Sequence, residues 1–156
     1  MALVSKIGEV LELWSIPTDT RNQGKQIIPD IVHSIFETLD KNNLTTSDIL
    51  GIGMGSPGQI DYQHGTVCGA YNLGWDEIQE VRDQFEKEFS LPFLIENDAN
   101  VAALGERWKG AGEFLLTNVK KEFNRYAFPT VRRSTELKLA TLGNVAGAIG
   151  AASLLL

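Results

Sequence analysis

The chain has 156 residues, of which 43% are hydrophobic and 22% charged, a composition typical of globular proteins and unlike disordered or collagen-like chains. Its net charge of -6 argues against nucleic acid or an anionic membrane as the main partner. The single cysteine, Cys68, excludes an intrachain disulfide and a multi-cysteine zinc site, which favours a cytoplasmic protein.

The N-terminal segment is predicted to form a β-hairpin. Two short runs of strand-favouring residues flank residues 6–9, where Gly8 suits a turn. Charged residues interrupt these runs, so they lack the pattern of a signal peptide. Apolar residues at helical spacing then predict a helix over residues 26–40. A second helix N-terminus is predicted to follow, with Thr46 or Ser47 as its cap.

Two apolar runs are predicted to be buried strands followed by helices. The first run, ILGIGM, ends in the glycine-rich turn GSPGQID, and the second, LPFLIE, predicts a strand over residues 91–96. Apolar stripes at helical spacing predict helices over residues 76–89 and 99–108. Alternating strands and helices indicate a layered α/β domain with parallel strands.

This alternation changes in the last third of the chain. A helix is predicted over residues 114–126, where a strand would be expected, and a strand over residues 137–142 follows it. Gly110 and Gly112 mark the change. The last predicted helix, over residues 144–156, is rich in small residues and well short of the ~20 residues that a membrane span needs.

The turn GSPGQID is one candidate binding element. Gly55, Ser56 and Gly58 follow a predicted strand and would let a polar ligand approach the backbone. The local sequence favours a simpler interpretation, an ordinary turn whose bend is set by Pro57. The stretch is not a P-loop, because no Gly-Lys-Ser/Thr follows it.

The polar tip of the second buried strand is the other candidate site. Glu96, Asn97, Asp98 and Asn100 lie where ligands bind in open α/β sheets, outside the carboxyl ends of the strands. An asparagine amide donates and accepts hydrogen bonds, and an aspartate carboxylate accepts a proton, a pair of abilities that polyol recognition needs. Alternatively, Asn97 or Asp98 caps the following helix. A cap explains one of the two residues, so the local pattern leaves both interpretations open.

The histidines do not predict a metal site. His33 is expected to be structural or exposed on a helix, and His64 to be solvated in a turn. Neither has a thiol or carboxylate cluster nearby with metal-ligand spacing. The three tryptophans are scattered, which argues against a base-stacking platform.

Three motifs, in order and spacing, resemble the ROK family of sugar kinases, and within it the glucokinases of Gram-positive bacteria. They are GSPG at residues 55–58, AYNLGW at residues 70–75 and NDANVAALGE at residues 97–106. The tail, residues 128–156, resembles the family's C-terminus as well. The resemblance implies the α/β fold of the actin-like (ribonuclease H-like) ATPases, in which two domains close on nucleotide and sugar.

Within this family the chain resembles a truncated member. Residues 1–112 would form an incomplete N-terminal sugar-binding domain, and residues 113–156 a C-terminal remnant of the large domain with a helix, a strand and a helix. The family's Asp-Leu-Gly-Gly-Thr turn would lie before Met1. A large internal loss near Gly110 to Glu113 would remove the second phosphate loop, the Glu-x-Gly-His sugar motif and the zinc motif. No residues binding ATP, magnesium or zinc are therefore expected here, although intact members use ATP and magnesium.

The resemblance also assigns roles to site residues. Asp98 would be the general base that accepts the proton of the sugar 6-hydroxyl as this oxygen attacks the γ-phosphate of ATP. Asn97 would hold the sugar hydroxyls in front of Asp98, and Gly58 and Asn72 would lie on the sugar-facing wall. Glu96 is expected to support the turn and not to take part in the chemistry.

These assignments imply a protein related to glucokinases that binds glucose or a similar hexose, in a family that is often homo-oligomeric. Because the phosphate loops are missing, the chain is expected to have little or no kinase activity. The alternatives are a non-catalytic sugar-binding remnant, a product of gene rearrangement without function, and a ROK-type transcriptional regulator. The regulator is disfavoured because no helix-turn-helix precedes the hairpin.

Overall fold

The computed structural model describes residues 1–109 and 145–155, with the side chains of residues 106–109 left out. The strands are β1 Ala2–Val4, β2 Val10–Leu13, β3 Ile52–Ser56, β4 Gln59–Asp61, β5 Thr66–Cys68, β6 Gln79–Glu80 and β7 Phe93–Asn97. The helices are α1 Arg21–Gly24, α2 Ile27–Lys41, α3 Val81–Phe89, α4 Asp98–Lys109 and α5 Ala146–Ser153. The predicted domain boundary at residue 112, the helix over 114–126 and the strand over 137–142 lie outside the described residues.

The described strands form three small sheets. β1 and β2 make the predicted antiparallel hairpin. β3 and β7 pair in parallel, which confirms the parallel strands predicted from the alternation of strands and helices. β4, β5 and β6 form an antiparallel sheet whose strand pairing the sequence did not predict.

The parallel pair positions the candidate site. Its register runs from Ile52 opposite Phe93 to Ser56 opposite Asn97, so that both strands end at the same edge. The glycine-rich turn leaves this edge after Ser56, and α4 leaves it at Asp98. Two motifs that are far apart in sequence therefore become neighbours.

The main core lies between α2, α3, β5 and the parallel pair. Three phenylalanines form its centre: the ring of Phe85 stacks on that of Phe93 with centroids 4.5 Å apart and on that of Phe89 at 6.2 Å. Phe36 stacks on the other side of Phe89 at 4.6 Å. The buried members of the core are Ile27, Ile28, Val67, Ala70, Trp75, Val81, Phe85, Phe89, Phe93 and Ile95.

The C-terminal helix α5 packs closely on α4 and β3 because glycines lie at the contacts. A Cβ atom on Gly150 would lie 1.5 Å from the carbonyl oxygen of Val101 in α4. A Cβ atom on Gly53 would lie 1.8 Å from the carbonyl oxygen of Ala151 in α5. Side chains at these positions would force the elements apart. In the described ranges, no helix is both long enough and apolar enough to cross a membrane.

The helix predicted over residues 76–89 was wrong at its start, because α3 begins at Val81. The two residues before it, Gln79 and Glu80, form β6 and pair with Val67 and Thr66 of β5. Their backbone hydrogen bonds are thus made to a strand that local spacing cannot reveal. Ile78, counted in the predicted apolar stripe, is 65% exposed.

The predicted cap of the second helix N-terminus was also wrong. The element is a single 3-10 turn, Thr46–Asp48, and its cap is Thr45. The carboxylate of Asp48 accepts hydrogen bonds from the backbone N–H and from the hydroxyl of Thr45, both at 2.8 Å. Thr45 therefore forms a capping box with Asp48, a pairing that its neighbours lack the spacing to make.

The other predicted elements are confirmed with shifted ends. The helix predicted over residues 26–40 is α2, and those predicted over 99–108 and 144–156 are α4 and α5. The strand predicted over residues 91–96 is β7. Most ends shift by one or two residues, as is usual where end turns fray or a strand begins after a proline such as Pro92.

Candidate functional site

The site lies at the shared edge where β3 and β7 end. Ser56 is paired with Asn97, and Gly55 with Glu96, so the GSPG and NDAN motifs lie side by side. A Cβ atom on Gly55 would lie 2.4 Å from Cγ2 of Val101 and 3.3 Å from the Cα of Asp98. The absence of a side chain at Gly55 therefore lets the first turn of α4 rest directly on β3.

Asn97 caps α4, and Asp98 shares its hydrogen-bond donor. The Oδ1 atom of Asn97 accepts a hydrogen bond from the N–H of Ala99 at 3.0 Å, and Oδ1 of Asp98 accepts from the same N–H at 2.8 Å. The cap thus involves one oxygen of each side chain. The NH₂ group of Asn97 and the second carboxylate oxygen of Asp98 remain as the donor and the acceptor that could meet a ligand. Asp98 is exposed.

Gly58 joins the β4–β5 hairpin to this edge. Its φ angle is +93°, a conformation that L side chains rarely adopt. A Cβ atom here would also lie 2.6 Å from the carbonyl oxygen of Cys68 and 3.0 Å from the nitrogen of Ala70. Gly58 is therefore required for the close approach of its own backbone to the backbone of residues 68–70.

Asn72 is exposed in a 3-10 turn, Tyr71–Leu73, in the loop that follows β5. A bridge between Ala70 and Trp75 closes the loop. Trp75 is 1% exposed, and its indole N–H donates to the carbonyl of Gly24 at 3.3 Å, which anchors the loop. The structure thus places Asn97 and Asp98 where β7 ends and Gly58 in the turn after β3, while Asn72 lies in the separate loop that follows β5.

Sequence reasoning missed the contact between Tyr62 and Glu96. The Tyr62 hydroxyl donates to the Glu96 carboxylate at 2.8 Å, from the loop between β4 and β5. Burial raises the pKa of Glu96, but hydrogen bonds from the N–H of Asn97, from Tyr62 and from Asn100 outweigh it and leave that pKa below its usual value. The hydrogen bond to Glu96 raises the pKa of Tyr62. These contacts confirm that Glu96 supports the turn.

A cavity of about 690 Å³ borders the site on the side of the N-terminal hairpin β1–β2. Its walls are mainly apolar and come from β1, β3, α2 and α5, with Asp98 at its rim. A hexose needs hydrogen-bonding groups over most of its surface, which such walls do not supply. The exposed edge at Asn97 and Asp98 is therefore the better candidate for a sugar than the cavity is.

The histidines are exposed, as predicted. His33 lies 3.2 Å from the carboxylate of Glu37, and His64 lies 2.9 Å from that of Asp61. Across residues 1–109 and 145–155, no three His, Cys, Asp or Glu side chains come together in a way that could hold a metal ion.

Comparison with protein-family models identifies the lineage. The model described as "ROK family" matches residues 1–114 of the chain. This chain belongs to the ROK family. The match includes the GSPG, AYNLGW and NDANVAALGE motifs, so the predicted family is confirmed. The proposed likeness of residues 128–156 to the family's C-terminus lies beyond the matched residues and stays a prediction.

Curated relatives of this ROK chain include kinases and regulators. Over 113 residues it is 40% identical to a glucokinase of Halalkalibacterium halodurans. The matched region covers 72% of the chain and 34% of that protein. Over 110 residues it is 33% identical to a putative xylose repressor of Caldicellulosiruptor. The matched region covers 70% of the chain and 27% of the repressor. The chain thus spans about a third or less of the length of these relatives.

A solved structure confirms the fold. The chain is similar to a ROK family glucokinase of Streptomyces griseus, in complex with glucose and AMPPNP, with a TM-score of 0.58 and 29% identity. The match covers 71% of this chain and 33% of the glucokinase. Together with the parallel pair β3–β7, this confirms the predicted α/β fold of the actin-like ATPases.

Proposed function

We propose that this cytoplasmic ROK chain carries the sugar-binding wall and the general base of a glucokinase. In a complete glucokinase the aspartate that corresponds to Asp98 would accept the proton of the hexose 6-hydroxyl while that oxygen forms a bond to the γ-phosphorus of ATP. The bond from the γ-phosphorus to the bridging oxygen breaks, and ADP leaves. Asn97 holds the sugar hydroxyls in place, and Gly58 and Asn72 line the wall.

The observation that carries this proposal is the position of Asn97 and Asp98 where parallel strands end. A rigid strand and the first turn of a helix hold the two side chains, and the backbone of the GSPG turn lies beside them. An amide donor next to an exposed carboxylate suits a hydroxyl that must be held and deprotonated. The S. griseus relative was solved with glucose and AMPPNP, which supports glucose as the ligand of this edge.

Metal ions enter this proposal only through the family. Magnesium neutralises phosphate charge in phosphoryl transfer. The described residues offer no cluster of three acidic, histidine or cysteine side chains for magnesium or for a structural zinc.

The 156-residue chain is expected to phosphorylate glucose very slowly or not at all, because it spans 34% of the length of a glucokinase relative. Positioning and charge neutralisation of phosphate provide most of the catalysis in phosphoryl transfer. A coupled assay for ADP release with glucose and ATP measures this. Turnover like that of an intact glucokinase would refute the expectation. Residual turnover, if detectable, should fall about 10²–10⁴-fold in Asp98→Asn.

The control for Asp98→Asn is Asp83→Asn. Asp83 is also an exposed aspartate in the first turn of a helix, in α3 and away from the β3–β7 edge. A general effect of removing a first-turn charge would appear in both variants. Equal activities of the two variants would argue against Asp98 as the base.

Glucose binding tests the sugar wall separately from catalysis. Titration calorimetry is expected to show weak binding that Asn97→Asp abolishes or weakens about tenfold, because one hydrogen-bond donor to the sugar is lost. This substitution retains an oxygen for the cap of α4, so its melting temperature should stay close to that of the wild type. Wild-type binding that is unchanged in Asn97→Asp would refute the assigned role of Asn97.

A second candidate function is a non-catalytic sugar-binding protein or a ROK-type regulator. The putative xylose repressor, whose match covers 70% of this chain, favours the regulator. A regulator would bind its sugar without needing a base, and its preferred sugar would be a pentose. Titrating xylose beside glucose distinguishes the two, because tighter binding of xylose supports the regulator and tighter binding of glucose supports the kinase lineage.

A further inference from the structure

The carboxylate of Glu96 collects hydrogen bonds from three separate parts of the chain. Its Oε1 atom accepts from the backbone N–H of Asn97 at 2.6 Å, from the Tyr62 hydroxyl at 2.8 Å and from the side-chain amide of Asn100 at 3.1 Å. These donors belong to the end of β7, to the β4–β5 loop and to the first turn of α4. One oxygen therefore ties together the three segments that surround the candidate site.

The bond to the Asn97 N–H acts on the site most directly. It holds the peptide group that joins Glu96 to Asn97, while the side chain of Asn97 is held by the N–H of Ala99. Both the backbone and the side chain of Asn97 are thus fixed before any ligand arrives. Hydrogen bonds to an ionised acceptor are roughly twice as strong as neutral ones.

The hydrogen bond from Tyr62 connects Glu96 to the loop between β4 and β5. Tyr62 follows β4, the strand that begins directly after Gly58. The guanidinium of Arg82 donates to the carbonyl of Tyr62 at 2.8 Å and to that of Gln63 at 2.7 Å, so the loop backbone is held by α3. With the loop held at one end, the Tyr62 hydroxyl fixes the hairpin relative to Glu96.

We propose that Glu96 is a positioning residue, which through its bonds to Asn97, Asn100 and Tyr62 sets the geometry of the sugar holder and the base. This inference rests on the proposed function, because it assigns Glu96 a role in that same site. Glu96 does not itself meet the sugar. Its ionised carboxylate is the required group, since a neutral amide in its place would accept the same bonds more weakly.

Amide hydrogen exchange of the ligand-free chain tests whether Glu96 holds the backbone of Asn97. In Glu96→Gln, exchange at the Asn97 amide should accelerate about tenfold, while core amides such as that of Phe93 should keep their rates. The control is Glu88→Gln, an exposed glutamate of α3, which should change neither rate. An unchanged Asn97 amide, or a uniform acceleration across the chain, would overturn the inference.

Titration of Tyr62 gives a readout that a packing role alone would not produce. The hydrogen bond to Glu96 holds the pKa of Tyr62 above its ordinary value of 10.0. In Glu96→Gln the negative charge is gone, so this pKa should fall toward 10.0 in an ultraviolet titration. Tyr62→Phe identifies the transition by removing it. A Tyr62 transition at the same pH in wild type and Glu96→Gln contradicts the inference.

Glucose calorimetry separates this inference from the proposed function. If the wild type binds glucose, Glu96→Gln should weaken binding about tenfold and Tyr62→Phe by a smaller factor, because only one of three bonds is lost. Equal binding by wild type and Glu96→Gln overturns the positioning role. If the wild type binds no glucose, the proposed function fails, and the exchange rate of the Asn97 amide still decides whether Glu96 sets the geometry of this turn.

Discussion

Gly150→Ala is expected to destabilise the chain by about 2 kcal/mol or more, as overpacking of a tight interface typically does. The added Cβ would lie 1.5 Å from the carbonyl oxygen of Val101 and 2.9 Å from the nitrogen of Gly105. Both atoms belong to the backbone of α4, so no side-chain rotation relieves the clash. Helix α5 must move away from α4, and urea denaturation followed by circular dichroism measures the loss.

The same substitution at Gly147 is the matched control. Gly147 lies in the same helix, and a Cβ there would have no heavy atom within 4 Å. Alanine is the better helix former by about 1 kcal/mol, so Gly147→Ala should be neutral or stabilising. If the two variants differ in stability by less than about 0.5 kcal/mol, the size of ordinary surface effects, α5 does not pack on α4 as described.

Much of the candidate site could be predicted because its main parts are local patterns at strand ends. An apolar run followed by glycines, and another followed by Asn97 and Asp98, are each visible within a few residues. That the two ends meet follows from the rule that parallel strands of an α/β sheet share a carboxyl edge. The pairing of Ser56 with Asn97 shows this rule at work.

The structure confirms the cap at the start of α4, and the site interpretation of Asn97 and Asp98 stays a prediction. Asn97 does cap α4, and it uses its oxygen to do so. An asparagine amide has a second function, its NH₂ group, that capping does not require. The sequence cannot separate the two interpretations, because it shows which residue is present but not which of its atoms is engaged.

Apart from the cap at Thr45, whose partner Asp48 is three residues away, the features that sequence reasoning missed depend on contacts between distant residues. β6 forms because Glu80 pairs with Thr66, and this pairing replaces the first turn of the predicted helix. Tyr62 and Glu96 are far apart in sequence and meet only because the β4–β5 hairpin folds over the end of β7. No periodicity reports such contacts, since each partner alone looks like an ordinary surface residue.

Phe85→Ala is expected to destabilise the chain by about 3–5 kcal/mol, the usual effect of removing a buried aromatic ring. Phe85 is 1% exposed and stacks on Phe93 and Phe89 at 4.5 and 6.2 Å. A domain has a total stability of about 5–15 kcal/mol, so this single change would remove a large part of it. Urea denaturation at neutral pH gives the difference in unfolding free energy.

Phe36→Ala is the matched control, and it links this core to the site. Phe36 stacks on Phe89 at 4.6 Å but is 39% exposed, so its loss should destabilise by a smaller amount, about 1–2 kcal/mol. An equal or larger effect for Phe36→Ala would mean that the centre of the core lies elsewhere.

Phe93, the partner of Phe85, begins the strand that ends at Asn97. Phe85→Ala should therefore also accelerate hydrogen exchange along β7, whereas Phe36→Ala should leave that strand protected, because Phe36 stacks on Phe89 and not on Phe93.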